Sequence, residues 1–289
     1  GGGRGTFAPA SPTRARPGAR GLSAAADPGA MESNKMLHVV YRVGDMDGAI
    51  AFYKEALGMQ LLRFRDVEED KYSNAFLGYG TESKGEHFSI ELTYNYGVDS
   101  YDLGDGFLGM GVTLPEEQAE GAFAGATVDE PLRALELAPC FEPDEDMDKA
   151  ITVTRGVVSD PDGYKMQITQ GKRRDPVATV RLSVLDLEKS VAFYKDTLGM
   201  ACFEKRSLLP HEAAITALVG YGDKEDSCVL ELVYFYNSDK RDLGTGYGQI
   251  AVSTPDVYKA ADFIRASGAE VSREPGPVPG IGTKITAVR

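Results

Sequence analysis

Apolar and polar positions alternate along Leu37 to Val43, with Leu37, Val39, Tyr41 and Val43 on one side and His38, Val40 and Arg42 on the other. From about Asp47 the period changes. Ile50, Tyr53 and Leu57 fall at helical spacing, and Gly58 closes the run. The same change recurs at Ala178 to Met200, where Val191, Tyr194 and Leu198 keep helical spacing before Gly199. The two stretches, LHVVYRVGDMDGAIAFYKEALGM and ATVRLSVLDLEKSVAFYKDTLGM, are versions of one another, so one unit is built twice. Asp47 and Asp186 are the expected helix N-caps.

The spacing predicts strands at Met59–Arg65, Ser73–Tyr79 and Phe88–Tyr96, with a hydrophilic turn at Gly80–Glu86. That completes a βαβββ unit. A second unit follows, with a strand at Gly104–Leu114, a weak helix at Glu116–Ala124, and strands at Ala150–Val158 and Tyr164–Thr169 around the turn SDPDG. Thr127–Asp148 fits no period and is expected to be irregular, its acidic run Glu142–Asp146 a solvated loop. Gln170–Pro176 is a short connector. The other half repeats the order, with helices at Leu187–Leu198 and Val257–Ser267 and strands at Val229–Tyr236 and Thr283–Val288. Asp242–Gly246 answers Asp102–Gly106. The sequence stops at Arg289 before any counterpart of the DPDGYK turn and its following strand. The expectation is a truncated last strand and an unpaired edge.

The length of 289 residues suits two domains, taken as 34–172 and 177–289 after a leader at 1–33. A formal charge of −13 argues against nucleic acid or anionic membranes as partners. No apolar run is long enough to span a bilayer. Cys140, Cys202 and Cys228 are scattered, suit a reducing compartment and carry no CxxC signature. The first thirty residues hold four arginines but one acid, Asp27, a composition like that of a transit peptide. A plastid stroma is therefore the expected location, with the cytosol as the alternative; a disordered tail before Met31 is the bland reading.

Candidate chemistry sits on two predicted strands. His38 and Arg42 share a face on the first, and Glu91, Thr93 and Asn95 share one on the strand Phe88–Tyr96. Polar groups on enclosed strands need partners. A lone strand histidine is usually structural, but His38 with Glu91 and one further donor could hold a metal. His87 and His211 read as exposed turn residues, and the aromatics Tyr94, Tyr96, Tyr234 and Tyr236 as packing.

The repeat, together with NAFLGYG, IELTYNYGVDSYDLGDGF, DPDGYK and REPGPVPG, resembles glyoxalase I (lactoylglutathione lyase) of the fused two-domain plant type, over residues 34 to 289. The resemblance implies an α+β fold of two glyoxalase-like domains, each of paired βαβββ units, the vicinal oxygen chelate fold. It implies isomerisation of the methylglyoxal–glutathione hemithioacetal to S-lactoylglutathione, with Zn²⁺ or Ni²⁺ as the divalent metal. A monomer with two pseudo-symmetric domains is expected, each pocket drawing ligands from both. In the pocket led by the first half, the matching positions are His38, Glu91 and Gln249 for metal, Glu91 also as base. Arg42, Asn95 and Arg273 match glutathione-holding positions. In the other pocket the matching positions are Thr179, Ser183, Phe235, Gly109 and Gln167, and only Glu231 keeps a ligand type. Arg181 shares that face but is offset by two residues. A catalytically impaired relative that binds glutathione conjugates or acts as a scaffold is the alternative. An extradiol dioxygenase is set aside, since neither His87 nor His211 supplies a second histidine ligand.

Overall fold

The computed structural model describes residues 34–81, 87–137, 151–278 and 282–289. The leader, the acidic run 142–146 and Cys140 lie outside them. The first half contains β1 (Lys35–Arg42), α1 (Met46–Glu55), β2 (Gln60–Val67), β3 (Tyr72–Gly78) and β4 (Ser89–Asn95), then β5 (Phe107–Leu114), α2 (Glu116–Ala124), β6 (Thr127–Leu137), β7 (Ile151–Ser159) and β8 (Lys165–Gln170). The second contains β9 (Val177–Ser183), α3 (Leu187–Leu198), β10 (Ala201–Ser207), β11 (Ala214–Gly220) and β12 (Val229–Phe235), then β13 (Tyr247–Ser253), α4 (Val257–Ala266), β14 (Val271–Pro277) and β15 (Lys284–Val288). The predicted βαβββ order holds throughout, with the last unit carrying two strands after its helix.

The helices form where the period predicts them, and their ends explain why. Asp186 caps α3 by accepting from Lys189 N–H, and Gly199 closes it in the left-handed region at φ 68°. At α1 the cap is Asp45, not Asp47: Asp45 accepts from Gly48 N–H at 3.0 Å. Asp47 instead lies in the first turn, where its charge favours the helix dipole. The segment 127–137, expected to be irregular, is the strand β6. It pairs antiparallel with β7 at a sheet edge, with register breaks around Pro131. An edge tolerates a proline and a poor alternation that a central strand would not.

Two sheets take strands from both halves. One has the order β13-β1-β4-β3-β2, the other β10-β11-β12-β9-β5-β8-β7-β6. The pairs β1·β13 and β5·β9 are antiparallel and equivalent. Where β5 continues to β8 and β7, β13 has no further neighbour among the described residues, and β14 and β15 form a separate ribbon.

Two loops clasp at the centre. Asp242 O accepts from Asp105 N–H and Gly106 N–H, while Asp102 O accepts from Thr245 N–H and Gly246 N–H. Gly104 and Gly244, at φ 59° each, meet so closely that a Cβ on either would stand 2.4 Å from the other loop's backbone. The core lies between the sheets and their helices and includes Val39, Tyr41, Tyr53, Leu57, Ile90, Met110 and Ile168. Within it, Tyr41 OH donates to Tyr53 OH at 2.6 Å, and Tyr53 OH donates to Asp160 Oδ2 at 2.8 Å. Asp160 Oδ1 accepts from Asp162 and Tyr164 N–H, and Tyr164 OH donates to the Arg42 carbonyl. This chain ties the DPDG turn of the second unit to the helix and strand of the first.

Burial pushes the Asp160 carboxyl up to about 6, against the hydrogen bonds that favour its charge. A raised acid pKa stabilises the fold most at pH values below the unfolded-chain pKa, and that contribution is lost as pH rises through about 6. Asp160→Asn should therefore flatten this component. Between pH 4 and 7.5 the wild type should lose about 2–3 kcal/mol more stability than the variant, by urea unfolding. Equal pH dependence in both proteins would overturn this account.

Candidate functional site

The strands β4, β1 and β13 lie side by side, and their register assembles the site. Val40 stands opposite Glu91 on one side and Gln249 on the other, so these three form one cross-strand row. His38, two residues earlier on β1, shares that face. Its Nε2 lies 3.2 Å from Glu91 Oε2, and both side chains are about one-fifth exposed. The opposite face of β1, with Val39, Tyr41 and Val43, is fully buried in the core.

Glu91 is held on its second oxygen as well. Asn74 Nδ2 donates to Glu91 Oε1 at 2.8 Å and lies 2.9 Å from Thr93 Oγ1. Phe76 packs edge-on to the His38 ring at 5.5 Å, and the Arg63 guanidinium sits 3.8 Å above the Phe76 ring. Arg42 stands opposite Thr93 and donates from Nη1 to the Thr245 carbonyl at 2.7 Å, a group in the second half's clasp loop. Asn95 donates to Tyr101 OH at 2.8 Å. Thus His38, Arg42, Glu91, Asn95 and Gln249 share the five-stranded sheet. Arg273 does not join them. It is exposed on β14, which pairs only with β15, and its side chain makes no hydrogen bond or ion pair among the described residues.

Two ligand atoms about 2.0–2.1 Å from one ion stand about 2.9–3.4 Å apart for octahedral to tetrahedral angles. The 3.2 Å between His38 and Glu91 fits that span. No cluster of three or more His, Cys, Asp or Glu is present among the described residues. A third protein donor would accordingly be the Gln249 amide. A cavity of about 340 Å³ opens elsewhere, beside the start of α1, lined by Asp45, Phe64, Asp66 and Tyr96.

The equivalent face of the eight-stranded sheet is built differently. Arg181 takes the place of Val40, and its Nε pairs with Glu231 Oε2 at 2.9 Å, both nearly buried. Thr216 Oγ1 lies 3.3 Å from the other Glu231 oxygen. Thr179 stands at the His38 position. Gly109, opposite Gln249 in the pseudo-symmetry, has φ 95°, and a Cβ there would lie 1.8 Å from the Lys165 carbonyl oxygen. No histidine fits on that backbone. Ser183 is buried, its carbonyl accepting from Arg241, and Phe235 packs on a small cluster with Leu135 and Val233. These residues do not fit a metal.

The profile of the Glyoxalase/Bleomycin resistance protein/Dioxygenase superfamily matches residues 35–168 and 176–286. The chain belongs to that superfamily. It is 44% identical over 261 residues to the Arabidopsis thaliana protein named "Probable lactoylglutathione lyase, chloroplastic", covering 89% of this chain and 70% of the relative. It is 39% identical to the lactoylglutathione lyase of Oryza sativa subsp. japonica, over 89% of this chain and 86% of the relative. The crystal structure of glyoxalase I from Zea mays superposes with a TM-score of 0.76 at 39% identity, covering 88% of each chain. The vicinal oxygen chelate fold that the resemblance implied is the fold found.

Sequence reasoning missed Asn74, Phe76 and Arg63. Alternation along NAFLG would have placed Asn74 and Phe76 opposite the buried Ala75 and Leu77. His87, expected to be exposed, is half-buried: its ring covers Gly80 and its Nδ1 is enclosed without a partner among the described residues. His211 is exposed as expected, with a ring nitrogen 3.2 Å from the Glu136 carbonyl. Cys228 is buried and Cys202 half-buried, both unbridged.

The Gly109 backbone yields a paired prediction. Gly109→Ala should destabilise by about 2 kcal/mol or more, from positive φ and the collision with Lys165. Gly121→Ala, on the open surface of α2, should stabilise by about 0.5–1 kcal/mol. Chemical unfolding of both variants checks the contrast; an unaffected Gly109→Ala would mean the backbone relaxes to admit a side chain.

Proposed function

We propose that this chain is a lactoylglutathione lyase that works through the His38–Glu91 face. The observation that carries the reading is the composite row: His38 and Glu91 from the first half converge beside Gln249 from the second. The lactoylglutathione lyases among its relatives supply the reaction class. His38, Glu91 and Gln249 would hold a divalent ion, Zn²⁺ or Ni²⁺. Such an ion supplies Lewis-acid stabilisation of negative charge on the substrate's neighbouring oxygens.

The chain's own residues do the rest. Glu91 takes the proton from the carbon bearing sulfur and returns it to the adjacent carbon, which converts the hemithioacetal of methylglyoxal and glutathione to the thioester. Asn74 keeps the Glu91 carboxylate aimed by holding its other oxygen. Arg42 and Asn95 lie farther along the same face, placed for the glutathione part of the substrate, and Phe76 walls the reacting end. Arg273 would serve glutathione only if the β14–β15 ribbon approached this face. Both composite sheets close within one chain, which supports a monomer. The acid-poor leader and the chloroplastic relative support a plastid stroma. Nucleic acid and membranes are not proposed as partners.

Glu91→Gln should lower kcat by about 10²-fold or more, since one general base is removed. Asn74→Ala should lower kcat by about tenfold with little change in KM. His38→Ala should lower bound metal as well as activity. Purified protein that holds no metal and forms no lactoylglutathione above the Glu91→Gln control would sink the proposal and favour the impaired relative.

A further inference from the structure

The eight-stranded sheet keeps a cavity of about 140 Å³ at the position equivalent to the site above. At about 30 Å³ for each water, that volume holds about four or five waters or a ligand of the same bulk. Three polar side chains line it without a hydrogen-bond partner among the described residues. They are the Arg155 guanidinium, the Gln167 amide and the Thr179 hydroxyl, whose oxygen is buried. A buried polar group without a partner costs free energy unless a water or ligand satisfies it.

The surrounding charge has a sign. Arg181 pairs with Glu231. Arg206 and Lys224 both bind Glu204, Arg206 at 2.7 Å. Arg155 has no ion pair of its own among the described residues; Glu231, Glu212 and Glu130 act on it only at a distance, and Glu130 is already paired with Arg133. Arg155, Arg206, Glu204 and Glu231 line the cavity and Arg181 pairs with Glu231, so three guanidinium groups meet two carboxylates there; Lys224 lies behind Glu204 and is also 3.9 Å from Glu225. Burial and the nearby Arg181 pull the Arg155 pKa down, so the isolated guanidinium is electrostatically under-compensated.

We infer that this second pocket is a metal-free site for a small oxyanion of carboxylate type, bound by Arg155 with Gln167 and Thr179. A guanidinium offers a planar fork to a carboxylate, and the amide and hydroxyl complete its coordination. Arg181 has taken the place a metal would need, by occupying Glu231. The inference is independent of the lyase proposal, because no residue is shared between the two faces.

The probe is malonate, with uncharged malonamide of the same shape as control, titrated calorimetrically into the full chain at low salt. Malonate should bind and malonamide should not. Arg155→Gln should weaken malonate binding at least tenfold without lowering the Tm measured in the absence of malonate, since Arg155 makes no hydrogen bond among the described residues to lose. Glu91→Gln, whose contacts lie within the five-stranded sheet, should bind malonate normally. Absence of malonate binding, equal binding by Arg155→Gln, or loss of binding in Glu91→Gln would overturn the assignment. So would a divalent ion retained at one per chain by the double variant His38→Ala/Glu91→Gln, because the second pocket would then hold metal. Lyase activity decides none of these outcomes, so the two readings fail separately.

Discussion

The clasp between the loops at Gly104 and Gly244 is the contact on which the rest of this structure depends. Each loop's aspartate carbonyl, from Asp102 or Asp242, receives two N–H groups of the other loop. Neither glycine leaves room for a Cβ. With the loops so fixed, β13 reaches across to β1 and β5 reaches across to β9. His38, Arg42 and Gln249 stand on two of those four strands, and Glu91 and Asn95 on the parallel neighbour β4. A composite site is thus a consequence of topology: Gln249 reaches the row of Glu91 only because β13 completes a sheet begun by β1.

Much of the fold could be read from period and punctuation. The amphipathic spacing of α1 and α3, the glycine at the end of α3 and the alternation along β1 each act locally, so the sequence carries them openly. The strand β6 could not be read this way, because an edge strand is specified by its partner more than by its own pattern. The cap at α1 turned on two aspartates two residues apart, and only backbone geometry distinguishes Asp45 from Asp47. His38, Glu91, Arg42 and Asn95 were legible as one-sided polar residues on strands. The separation of Arg273 was not, because it depends on which strand β14 pairs with. The role of Asn74 was also hidden, since its partner Glu91 lies across a turn.

The second pocket shows how far one backbone can move in chemistry. Sequence comparison of the halves reads it as a list of losses, with Thr179, Gly109 and Gln167 in place of ligand types. The structure shows something put in their place. Arg181 engages the surviving Glu231, and the backbone at Gly109 turns into a conformation that excludes a side chain. The change is thus both electrostatic and steric. The two faces now carry opposite demands, one arranged around the Glu91 carboxylate beside His38 and the other around the Arg155 guanidinium, which has no ion pair among the described residues.

The clasp also sets the terms on which the halves can diverge. Gly104 and Gly244 pack each against the other's loop, so a change in one copy is felt at once by both. The two pockets stand on separate sheets. A duplicated chain built this way is bound to stay symmetric at its hinge line while its two cups drift apart. Paired ancestry here behaves as a shared spine with two independently editable palms.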